Sequence, residues 1–182
     1  MALRSVVYKV ELQVADMDRA HYADYQLTLA RHPSETEERM MVRLLAYALY
    51  AGPGLEFGRG LSAEDEPDLW QRDPTGAISH WIDVGLPDER LVRKACGRAA
   101  RVSILVYGGS RAEAWWTQNR DGLARLANLE VIRIAPEASA SLARVAQRTM
   151  RLNCTVQEGQ VWLSSDAQSA CVEPEVLQAA ER

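Results

Sequence analysis

The chain opens on a strict alternation of apolar and polar positions. Val6, Tyr8, Val10, Leu12 and Val14 fall on one face of a segment running from Arg4 to Val14, and Ser5, Lys9, Glu11 and Gln13 fall mostly on the other. That period of two predicts a half-buried strand. After Asp16-Met17-Asp18-Arg19, a second run from Tyr22 to Ala30 repeats it through Tyr25, Leu27 and Leu29, so a long opening hairpin is expected. At His32-Pro33-Ser34 the period changes. Met41, Leu44, Leu45, Ala48 and Leu49 recur at helical spacing up to Gly52-Pro53-Gly54, which predicts a helix with a firm stop. Ser34 and Glu37 have the spacing of a capping box at its start.

Short strands follow in the pattern: Leu55 to Gly58, a segment near Asp68-Leu69-Trp70, and Ile78 to Val84 after the turn Asp73-Pro74-Thr75-Gly76. The acidic stretch Ala63 to Glu66 reads as a loop between the first two. Asp88 opens a helix to about Ala100, and an apolar strand is expected from Val102 to Tyr107. A helix from Arg111 to Leu126, a strand from Leu129 to Ile134 and a helix from Ser139 to Met150 come next. Asn153 to Glu173 is again period-two, turning at Glu158-Gly159, and the residues from Pro174 read as a tail or a short frayed helix. Strands alternating with helices predict an α/β fold, a mixed sheet covered by flanking helices with terminal hairpins at both ends. With no repeat or linker in view, residues 1–182 are expected to form one domain.

Composition narrows the classes without choosing among them. Hydrophobic residues make up 47% and charged residues 25%, average usage for a folded soluble chain. No apolar run approaches a membrane span and Met1-Ala2-Leu3-Arg4 has no apolar leader core, so a cytoplasmic protein without membrane partners is expected. Cys96, Cys154 and Cys171 lack metal-ligand spacing and read as free, buried thiols. A net charge of -4 argues against a protein that coats nucleic acid through a broad basic surface. It leaves room for a local basic cleft, since Arg31, Arg39, Arg43, Arg90, Arg93, Lys94, Arg98 and Arg101 cluster in two stretches that flank the acids of interest.

Those acids are Asp68, after Glu66-Pro67, and Asp83, fifteen positions on; Lys94 follows eleven later. Two carboxylates at the ends of neighbouring strands can hold a hard divalent cation such as Mg²⁺ or Mn²⁺, and a nearby lysine can orient water or offset charge on a phosphate. Asp83 ends Trp81-Ile82-Asp83-Val84, a segment too apolar for a free loop, so its carboxylate needs a partner. The structural alternatives are a backbone N–H at the next helix or an arginine for Asp83, a turn role for Asp68, and a helix-coating role for Lys94. Glu38 lies on or beside the inward stripe of its helix, aimed at the same site or paired with Arg39, Arg43 or a distant arginine. Arg93 and Arg98 read as a solvated helix face. Tyr107-Gly108-Gly109-Ser110 is either an anion cradle or a plain turn, and Trp115, Trp116 and Trp162 read as packing residues. His21, His32 and His80 are scattered, and no organic-cofactor motif is present.

Four longer stretches resemble the YaeQ family: His32 to Leu45, Leu55 to Ser62, Glu66 to Trp70, and Arg93-Lys94-Ala95-Cys96-Gly97. That family is in turn similar to the PD-(D/E)XK nucleases. The resemblance implies a restriction-endonuclease-like core of helix, three strands, helix and strand. It places Asp68 and Asp83 as metal ligands, with Gly85 where the motif's lysine stands, Lys94 as that lysine moved to the following helix, and Glu38 as an additional helix acid. The implied activity is Mg²⁺- or Mn²⁺-dependent phosphodiester hydrolysis on nucleic acid. The alternative is a non-catalytic module of the same fold that binds nucleic acid or a protein connected with gene expression.

Overall fold

The computed structural model describes residues 4–60 and 65–181. Met1 to Leu3, together with Ala63 and Glu64 of the expected acidic loop, lie outside the described residues, as do Leu61, Ser62 and Arg182. Among the described residues there are two sheets rather than one. The opening hairpin pairs β1 (Val6–Asp16) with β2 (His21–Arg31) along its whole length, from Val6 opposite Arg31 to Asp16 opposite His21. β8 (Thr149–Gln157) joins β1 in parallel and continues into β9 (Gln160–Ser164) and β10 (Ser169–Val172), giving the order β10-β9-β8-β1-β2. The β8–β9 turn is Glu158-Gly159, both at positive φ (51° and 75°), the backbone that a two-residue hairpin turn requires.

The second sheet has six strands, β3 (Leu55–Phe57), β4 (Leu69–Arg72), β5 (Ile78–Val84), β6 (Ala99–Val106), β7 (Leu129–Arg133) and β11 (Glu175–Gln178), in the order β11-β7-β6-β5-β4-β3. β3, β4 and β5 form an antiparallel meander, and β6 and β7 add on in parallel. α1 (Glu37–Tyr50) precedes the meander and α2 (Glu89–Arg98) separates β5 from β6, so helix, three strands, helix, strand is the order found.

One apolar cluster joins the inner face of the first sheet to α1, α4 (Pro136–Val145) and one face of the second sheet. A second cluster lies between the opposite face of that sheet and α2 and α3 (Ser110–Leu123). Because α1 runs between two sheets, it is buried without a break from Met40 to Ala48, Arg43 included. A single apolar stripe would serve only one neighbour; two covering layers need apolar residues all round.

Four local expectations are corrected. The N-cap of α1 is Thr36, whose hydroxyl accepts the Arg39 N–H at 3.1 Å, while Ser34 bonds to His32 Nδ1 outside the helix. The last helix runs from Pro136 to Val145, because Pro136 supplies a preset first-turn φ, and Thr149-Met150 already belong to β8. The segment after Pro174 is neither tail nor helix: β11 (Glu175–Gln178) pairs with β7, with Glu175 opposite Arg133. Cys171 and Trp162 face solvent across the β9–β10 pair, so neither is a core residue.

Candidate functional site

The β4–β5 register sets the site. Leu69 stands opposite Ile82, so Asp68, just ahead of β4, falls beside Asp83 near the end of β5. The Asp68 backbone N–H donates to Asp83 Oδ1 at 3.1 Å, and the Trp81 indole N–H donates to Asp83 Oδ2 at 2.8 Å. Asp68 is itself buried and accepts the Val84 N–H at 2.8 Å on Oδ2. This meander can close so tightly at its mouth because residue 58 is glycine: a Cβ there would overlap the Pro67 carbonyl oxygen, and the Gly58 N–H already reaches Asp68 O at 2.9 Å.

Arg39, in the first turn of α1, completes the arrangement. Its Nη2 lies 2.9 Å from each carboxylate oxygen of Asp68 and 3.1 Å from the Val84 carbonyl. Nη1 donates to Glu35 at 2.9 Å, and Glu35 in turn takes two hydrogen bonds of 2.8 Å from the buried Arg43. The result is a buried ladder of alternating charge, Arg43–Glu35–Arg39–Asp68, that ends on Asp83. Burial works against the charge on Arg39, but Asp68 and Glu35 outweigh it and hold the guanidinium above its ordinary pKa. Asp83 moves the other way from an ordinary carboxyl. Burial, then the neighbouring Asp68 charge, push it up from 3.8 to about 6.

Outside this ladder the chain opens into a cleft of about 570 Å³, lined by Arg39, Asp68, Asp83, Lys94, Arg98, Tyr107 and Arg111 among others. Burial raises the Tyr107 hydroxyl above its ordinary pKa, so it stays protonated at neutral pH. Lys94 reaches the cleft from α2 and pairs with Asp65 at 2.8 Å, both side chains largely exposed. Arg98 is not a simple solvated residue: its guanidinium lies 5.2 Å over the Trp81 ring and bonds to the Asp65 carbonyl at 3.2 Å. Arg93 does stay on the exposed side of α2, paired with Glu89 and the Gly122 carbonyl.

The structure therefore brings Asp68, Asp83 and Lys94 to one cleft. Glu38 is not among the residues lining it. Its carboxylate accepts the Ser139 hydroxyl at 2.5 Å, tying α1 to α4. Sequence reasoning named Arg39 only within a basic stretch and as a candidate partner of Glu38, and did not single out Glu35. Their signal was the i, i+4, i+8 spacing of Glu35, Arg39 and Arg43, which also fits an ordinary exposed helix face. Among the described residues no group of three or more His, Cys, Asp or Glu side chains could hold a metal ion. The oxygens that converge on one point are the two of the Asp68 carboxylate and the Val84 carbonyl; Asp83 stands beside them with its oxygens on the Asp68 N–H and the Trp81 indole. No helix of the described residues is long and apolar enough to cross a membrane.

The family model described as "YaeQ protein" matches residues 1–174. The chain is similar to the "uncharacterized protein YaeQ" of Escherichia coli (strain K12), 49% identical over 166 residues that cover 91% of this chain and 92% of that protein. The relative from Salmonella typhi is 49% identical over 164 residues, covering 90% and 91%. Among solved structures, the YaeQ protein from Xanthomonas axonopodis pv. citri superposes with a TM-score of 0.94 at 50% identity, covering 96% of this chain and 99% of that one. The YaeQ protein from Pseudomonas syringae gives 0.91 at 38% identity, covering 96% and 97%.

Proposed function

We propose, from the premise that this chain belongs to the YaeQ family, that its cleft is a phosphodiester site that hydrolyses nucleic acid with a divalent cation held at Asp68 and Asp83. One observation carries the reading. Both Asp68 oxygens and the Val84 carbonyl point at a single position, and a cationic nitrogen, Arg39 Nη2, stands there at 2.9, 2.9 and 3.1 Å. The guanidinium is thus a stand-in for a positive charge on an all-oxygen donor set, the kind that suits Mg²⁺ or Mn²⁺. The order of core elements, helix, three strands, helix, strand, supports the same reading through its likeness to the PD-(D/E)XK nucleases.

In this proposal Asp68, Asp83 and the Val84 carbonyl would hold the cation, which supplies Lewis-acid activation of phosphate and water when bound. Trp81 Nε1 and the Asp68 N–H keep the Asp83 carboxylate from rotating, so its position is set before any ligand arrives. Lys94, on a long exposed stem, can turn from Asp65 to a phosphate oxygen or to the attacking water. Arg98 and Arg111 line the same cleft and provide charge for the flanking phosphates. Glu38 takes no part, since Ser139 holds it.

The same Arg39 also favours a second reading, a metal-free module that binds nucleic acid with its cation built in. Incubating the protein with single- and double-stranded DNA and RNA oligonucleotides in Mg²⁺ or Mn²⁺ separates the two. Cleavage that EDTA stops and that Asp68→Ala or Asp83→Ala abolishes is the expected result. Binding that persists in EDTA, with no cleavage under either metal, would transfer the site to the second reading.

A further inference from the structure

We infer that Arg39 is a latch on this site, a resident cation that must leave the Asp68–Val84 seat before a divalent metal can enter. The inference rests on the metal-site reading above and concerns how that site is controlled. Three observations lead to it. Arg39 Nη2 does not merely approach Asp68; it engages both carboxylate oxygens and the Val84 carbonyl together, the positions a metal bound there would use. A dication on those oxygens would stand almost in contact with the guanidinium, and like charges at that separation in a partly buried site repel strongly. Occupancy by one therefore excludes the other.

The latch is also tethered. Arg43, 2% exposed, clamps Glu35 with two hydrogen bonds, and Glu35 holds Arg39 through Nη1. Yet Arg39 is the most accessible member of the ladder, its side chain 17% exposed against 2% for Arg43 and for Glu35 and 7% for Asp68. It also lines the cleft, with open volume beside it. Arg43 and Glu35 are the fixed part, and Arg39 is the part with room to turn. When Nη2 swings into the cleft, Glu35 retains Nη1, and the freed guanidinium faces the space where a phosphate would lie.

Such a device makes metal affinity depend on the fraction of molecules in which the seat is vacant. Calorimetric titration of the full chain with Mn²⁺ alone reads this out without any activity assay. Arg39→Met, which keeps the apolar stem and removes the cation, is expected to bind Mn²⁺ roughly ten- to a hundredfold more tightly than wild type, the range set by one charge-assisted hydrogen-bonded pair. Adding Asp68→Ala to that variant should remove the gain. Equal affinities in wild type and Arg39→Met would overturn the latch and leave the metal site standing. No Mn²⁺ binding in either protein would overturn both. Because Arg39→Met leaves Glu35 and Asp68 short of a partner, a second measurement uses wild type alone. The Arg39 Nε–H resonance in protein labelled with ¹⁵N-arginine should shift as Mg²⁺ saturates the site, and an unmoved resonance at saturating Mg²⁺ would refute the exclusion.

Discussion

Replacing Asp83 by asparagine tests the electrostatics at the centre of the cleft. In the folded protein burial, and then Asp68, raise the Asp83 carboxyl from 3.8 to about 6. A folded-state pKa above the unfolded one means the native state holds the proton more tightly. The associated stability is fully present below 3.8 and is lost as the pH rises through about 6. A shift of that size corresponds to roughly 3 kcal/mol between the two limits, of which roughly 2 kcal/mol falls between pH 4.5 and 7.5. Asparagine has no such titration. Its single carbonyl can also accept only one of the two hydrogen bonds that Asp68 N and Trp81 Nε1 now donate to the carboxylate, a loss of about 1–3 kcal/mol at every pH. At pH 7.5 relief of the buried charge offsets that loss, so Asp83→Asn should be close to wild type. At pH 4.5 wild type should be ahead by roughly 2 kcal/mol more. Urea unfolding of both proteins at several pH values, extrapolated to water, gives the difference directly. The comparison cancels groups common to both proteins. Chief among these is His80, held down to about 4 by burial and then by Arg101, which loses stability on acidification instead. Parallel wild-type and variant curves from pH 4.5 to 7.5 would refute the argument, because they would mean that Asp83 titrates like an exposed carboxyl.

Glu35→Gln leaves Arg43 and Arg39 without the carboxylate that each now uses; a loss of about 3–5 kcal/mol is expected in denaturant unfolding, the usual result of stranding a buried charge. Gly58→Ala must push the Pro67 carbonyl away, costing about 1–3 kcal/mol in the same assay and weakening Mn²⁺ binding because Asp68 is the next residue. Metal affinity should itself rise between pH 5 and 7, as the raised Asp83 carboxyl ionises; calorimetry showing a flat profile across that range would remove Asp83 from the ligand set.

Much of the architecture was legible in the residue pattern. Period-two alternation located the hairpin of β1 and β2, and the turn Asp73 to Gly76 with the apolar run after it located the strand Ile78–Val84. Helical spacing located α1, and Asp88 does cap α2, accepting the Arg90 N–H at 2.8 Å. These are local properties: a side chain's face follows from its position in a repeat of 2 or 3.6 residues. The pairing of Asp68 with Asp83 was legible too, since a short antiparallel connection brings the ends of neighbouring strands together.

Which partner each charge finds is another matter, because it depends on which elements pack together. Arg39 meets Asp68 across 29 positions of sequence, and Glu38 meets Ser139 across 101; neither spacing carries a periodic signal. The run Glu35, Arg39, Arg43 could have coated a solvated helix. Enclosing α1 between two sheets takes it out of water, and a buried charge must then be matched by another. β11 follows the same rule: Glu175 to Gln178 has little strand character alone, and it becomes a strand because β7 offers unpaired backbone groups at the sheet edge. Residue order thus set the opening hairpin, α1, α2, the central strands and the acids of the cleft, while the sheet edge made β11. Long-range packing placed a guanidinium on those acids, through the cost of burying any of these charges without its counterpart.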